Sequence, residues 1–117
     1  MSKKRIKSYI PDAIKVLAAE HSKGVIPSVY NGYISSFGAS VIQSGLKPTL
    51  ALFENENKTD RYKIIEMILK VLDEKTNDTS LLNHVLKGNE VLLKDKIIDI
   101  SIALKLSIRT FKLERGE

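Results

Sequence analysis

Apolar residues recur along most of this chain at steps of three and four, the period of an α-helix with one face against a core. Ile6, Ile10, Ala13, Ile14 and Leu17 form the first stripe. Ile64, Ile65, Ile68, Leu69 and Leu72 form the cleanest, and Leu93, Ile97, Ile100, Leu104, Ile108 and Phe111 the longest. Pro11 falls inside the first stripe; it suits either the first turn of a helix or a kink in a longer one, and both stay open. Ser22-Lys23-Gly24 breaks the pattern, and residues 54–59 and 73–79 are polar loops. Asp60 is a candidate N-cap for a helix over 61–72, and Ser80 for a short one reaching Leu86 and closed by Lys87-Gly88. A long final helix is expected from about Glu90 to Phe111.

Residues 25–53 carry conflicting signals. Val29, Tyr30, Tyr33 and Ile34 favour strands, and Asn31-Gly32 is a hairpin dipeptide. Against this, Tyr30, Ile34, Phe37 and Val41 keep helical spacing, and nothing after Gly32 alternates. The helix wins, although Gly32 and Gly38 each weaken it by about 1 kcal/mol relative to alanine. Glycines inside a helix often mark the close approach of another helix. Gly45 should end this helix in a left-handed conformation, with Leu46 folding back onto its last turn. Pro48 then opens a short helix that buries Leu50 and Phe53. The expected architecture is all-α: a single-domain helical bundle of about five to seven helices over residues 1–117.

Composition narrows the function more than the fold. No apolar run approaches the ~18 residues that span a bilayer. Asp12 and Lys15 interrupt what would be the apolar centre of a signal peptide, so a cytoplasmic protein without membrane contact is expected. The absence of cysteine removes disulfides, thiol nucleophiles and thiolate metal sites. The net charge of +5 is concentrated in residues 1–50, which carry seven Lys/Arg against Asp12 and Glu20. Such a gradient suits an anionic partner. Lysine outnumbers arginine fifteen to four, which favours contacts to phosphates over the bidentate reading of bases.

Catalytic chemistry finds little footing. His21 and His84 are isolated, the acids at Glu54, Glu56 and Asp60 lack calcium-loop spacing, and no glycine-rich phosphate loop is present. Asp95 and Asp99 lie one helical turn apart among Lys94, Lys96 and Lys105, the composition of a solvated charged face. No metal or cofactor is implied. Tyr30 and Tyr33 can stack on bases, but at apolar helix positions packing is the stronger expectation.

Between Tyr30 and Leu72 the chain resembles the small helical subunit of type III-B CRISPR effector complexes, the fifth member of the Cmr group. The resemblance rests on Tyr30 or Tyr33 in the second helix, the turn Gly45-Leu46, the short helix containing Thr49-Leu50-Ala51-Leu52-Phe53, and the amphipathic helix 61–72. It implies a non-enzymatic subunit that stacks head to tail beside the other subunits of the complex and helps form the channel for guide and target RNA. No family motif fixes the RNA contacts. On charge alone the candidates are Lys4, Arg5, Lys7, Lys15 and Lys47, with Arg109 and Lys112 as a second group. A competing resemblance is a DNA-binding helix-turn-helix over residues 100–110, with its turn at Lys105-Leu106 and with Arg109 and Lys112 on the recognition helix.

Overall fold

A computed structural model describes residues 3–21, 24–55, 60–73 and 80–114. Six helices appear among them: α1 (Lys3–Glu20), α2 (Val29–Ser44), α3 (Leu46–Asn55), α4 (Asp60–Leu72), α5 (Leu81–Leu86) and α6 (Glu90–Ile108). Two short strands, β1 (Val25–Pro27) and β2 (Lys112–Glu114), pair in parallel with Val25 opposite Lys112. The all-α expectation holds, since the strands hold three residues each. Ser22, Lys23 and most of both expected loops (56–59 and 74–79) lie outside the described residues.

Pro11 sits inside α1 on its exposed side, so a longer helix absorbs it. The carbonyl of Lys7 loses its helical donor there and faces water instead. Gly24 turns the chain from α1 into β1 with φ +73°. Its N–H donates to the His21 carbonyl at 2.9 Å.

The central stripe forms as expected. Tyr30, Ile34, Phe37 and Val41 are buried along α2, and the Phe37 ring meets the Phe53 ring of α3 edge to face at 5.4 Å. Gly45 has the expected positive φ, at +93°, but its ψ of 164° is extended rather than α-helical. Only glycine visits that region freely. The next helix starts at once, at Leu46, with Pro48 in its first turn, where a missing N–H costs no helical bond. Thr49 closes this corner: its hydroxyl bonds the Gly45 carbonyl and the Ser40 hydroxyl, both at 2.8 Å. Gly32 and Gly38 differ from expectation, because an added Cβ would meet nothing within 4 Å at either. Among the described residues no helix uses them for close approach.

Ser80 caps α5 by accepting from the Asn83 N–H, and Glu54 of α3 bonds both the Ser80 hydroxyl and the Leu82 N–H. Helix α4 begins at Asp60 itself, and the side chain of the cap expected there lies outside the described residues. Helix α6 stops at Ile108, three residues short of the expected Phe111. The last N–H groups make three-residue bonds, Arg109 to Leu106 and Thr110 to Ser107, and the Thr110 hydroxyl also takes the Ser107 carbonyl at 2.7 Å. That tightened turn frees residues 112–114 to pair with β1.

The core runs between α1, α2, α4 and α6. Arg5 meets Asp99 near one end of the α1–α6 contact, and β1 meets β2 beyond the other. Helices α1 and α6 therefore lie side by side and run in the same direction.

Candidate nucleic-acid interface

Helix α1 owes its basic face to spacing. Lys4, Lys7, Pro11 and Lys15 follow one another at steps of three and four, which puts them on one side of the helix. All four are exposed, while Ile6, Ala13 and Leu17 fill the opposite side. No acidic residue interrupts the row. It extends over about 16 Å, at ~1.5 Å per residue. Neither Lys4 nor Lys7 has an acidic partner among the described residues.

The remaining candidates are not gathered into this row. Arg5, one step from Lys4, turns toward the protein: its Nη1 donates to Asp99 Oδ2 at 3.1 Å. The Arg5 side chain is 40% exposed and that of Asp99 is 0% exposed. The expected solvated pair Asp95/Asp99 is thereby corrected, since Asp95 is exposed and Asp99 belongs to the core. The signal was present in Ile97-Ile98-Asp99-Ile100-Ser101-Ile102, an apolar run on all sides of the helix that marks α6 as central. Beside this pair, burial pushes the Tyr9 phenol above its ordinary value; Arg5 opposes the shift, and Asp99 and Asp12 add to it.

Lys47 is on α3 and pairs with Glu90 at the start of α6, 3.4 Å apart and half exposed on both sides. Arg109 is the exposed C-cap residue of α6. Lys112 lies in β2, with its backbone opposite Val25. Tyr30 is buried against His21 in an edge-to-face contact at 5.4 Å, which leaves no face for a base. Tyr33 is half-buried under the Arg61 guanidinium at 5.6 Å. The helix-turn-helix has no turn to stand on: Lys105 and Leu106 are inside uninterrupted α6, and Arg109 follows its end. A lysine keeps the helix going where such turns want a glycine.

The row borders a groove of about 220 Å³ between α1 and α4, lined by Asp12, Lys15, Val16, Ala19, Lys70 and Val71. Lys70 donates to Glu20 Oε1 at 2.6 Å and thereby ties α4 to α1. That hydrogen bond holds the Lys70 ammonium above its ordinary pKa, against an opposing effect of burial. A raised lysine pKa stabilises the fold below the unfolded value, and the contribution is lost as pH rises through the folded one. The pair is partly exposed, so Lys70→Gln is expected to cost only about 0.5 kcal/mol in urea denaturation at pH 7. The difference from wild type should shrink at alkaline pH, as the Lys70 ammonium loses its proton.

Among the described residues no group of three His, Asp or Glu is placed to hold a metal, and no helix is long and apolar enough to cross a membrane. Residues 3–99 match the model of the family described as CRISPR-associated protein (Cas_Cmr5). No curated protein and no solved structure matches the chain.

Proposed function

Because the chain belongs to the Cas_Cmr5 family of CRISPR-associated proteins, the small-subunit type of type III-B complexes, we propose that it acts there without catalysis, by holding RNA phosphates. The observation that supports this is the row Lys4–Lys7–Lys15 on the exposed face of α1. Lysine ammoniums are point charges that attract a phosphate whatever base it carries. A subunit that must accept any guide or target sequence needs that indifference. Helices α4 and α6 pack behind α1 and hold the row in place.

The same chain offers apolar surface to other subunits and to head-to-tail copies of itself. Ile42 is 75% exposed beside the groove between α2 and α6. Leu86, Val91 and Leu92 are exposed at the junction of α5 and α6.

Reversing Lys4, Lys7 and Lys15 to glutamate tests the proposal, with single-stranded RNA and fluorescence anisotropy as the readout. Affinity is expected to fall at least about tenfold, and the slope of log K against log salt to flatten by about 2, at ~0.7 per lost phosphate contact. All three side chains are exposed, so the melting temperature should hold. Unchanged affinity would remove the row from the account. Salt-independent capture of the complex by the variant would point to an adaptor that touches only protein.

A further inference from the structure

The groove between α1 and α4 adjoins the lysine row through a shared residue. Lys15 ends the row and also lines the groove. Across the α1 surface, Lys15, Ala19, Asp12 and Val16 follow one another in angular order, so the basic face passes directly into the groove wall. Val16, Ala19 and Val71 supply the apolar lining. Asp12 offers acceptors at the rim, and Lys15 and Lys70 offer donors. Lys70 is anchored by Glu20, which gives that wall a fixed edge.

We propose that this groove receives one nucleobase of the single-stranded RNA whose phosphates the lysine row holds. The inference rests on the phosphate-binding function proposed above and adds a contact that the lysines cannot make. At about 220 Å³ the groove is smaller than the ~300 Å³ from which drug-sized pockets begin, a size for one ring system rather than a whole nucleotide. Its chemistry matches a base, with an apolar lining for the ring face and acceptors and donors for its edge. It does not match a phosphate, which the Asp12 carboxylate would repel. Charge brings the strand to α1, and the adjoining cleft takes a base that turns inward at Lys15.

The test compares two oligoribonucleotides of equal length, an oligoadenylate and an abasic strand with the same phosphates, bound to the full-length chain. Wild type should bind the oligoadenylate about tenfold more tightly, the effect of removing roughly 60 Å² of base face from water. Ala19→Trp fills the groove from an exposed helical position. It should remove that preference and leave abasic binding unchanged. Lys4→Glu with Lys7→Glu should weaken both strands alike. Equal wild-type binding of the two strands overturns the base contact and leaves phosphate holding intact, as does a preference that survives Ala19→Trp. If both strands bind regardless of Lys4 and Lys7, the phosphate function itself falls. If Ala19→Trp keeps the base preference but no longer captures the other subunits, the groove holds a protein side chain.

Discussion

Arg5→Met is expected to destabilise the fold by about 3 kcal/mol, although residue 5 is on the surface. The reason lies beneath it. Asp99 is 0% exposed on α6 and receives a guanidinium N–H from Arg5 at 3.1 Å. Methionine keeps the aliphatic stem and removes the charge, so a carboxylate in the core loses its cation. Water reaches the outer part of Arg5, which keeps the loss at the lower end of the range for buried pairs. Urea denaturation should show the midpoint falling with an unchanged slope. The double variant Arg5→Met/Asp99→Leu should recover part of the loss, because no carboxylate then stays buried without the Arg5 guanidinium. A single-variant loss below about 1 kcal/mol would mean that Asp99 is satisfied without Arg5. The result bears on function too. Arg5→Glu would set a second carboxylate against Asp99, and lost RNA binding would then report unfolding. Of the four α1 candidates, charge reversal is informative at Lys4, Lys7 and Lys15.

Gly45→Val should cost about 2–3 kcal/mol, the scale of a non-glycine residue forced into a backbone region almost reserved for glycine. With φ +93° and ψ 164°, Gly45 holds the α2–α3 corner where an L-residue is strained. The strain is in the backbone: an added Cβ would meet only Pro48 Cδ, at an ordinary 3.7 Å. Gly45→Ala should therefore cost nearly as much as valine, which separates strain from crowding. If the backbone relaxed to relieve it, the Gly45 carbonyl would leave Thr49, and Thr49 would lose its tie to the corner. A thermal melt within about 0.5 kcal/mol of wild type would contradict the conformation.

Much of this fold was legible because helices repeat their signal. Tyr30, Ile34, Phe37 and Val41 announce one buried face four times over, which outweighs the local hairpin signal of Asn31-Gly32. Strands β1 and β2 carry no such repetition. Three residues are too few to show a period of two, and each exists only because the other passes beside it. Asp99 was misjudged for a related reason. Charged neighbours Lys94, Asp95 and Lys96 describe the exposed first turns of α6, whereas Asp99 lies further along, where the helix is enclosed. Gly38 is the converse, a glycine within a helix where an added Cβ would meet nothing within 4 Å among the described residues. At the interface, spacing alone exposed the row Lys4–Lys7–Lys15. The sequence did not disclose that Arg5, charged like its neighbours, faces inward. Nor did it disclose the groove, which needs Val71 from a second helix.

The side-by-side arrangement of α1 and α6 also sets a schedule for the ribosome. Arg5 and Asp99 are separated by 94 positions. At the ~5–20 residues per second of synthesis, roughly 5–20 s separate the making of Arg5 from the making of Asp99. Through that interval Ile6, Ala13 and Leu17 have no α6 to cover them, and the lysines on the other side of α1 are already in water. The most basic of the described helices is made well before α6, the helix that covers it.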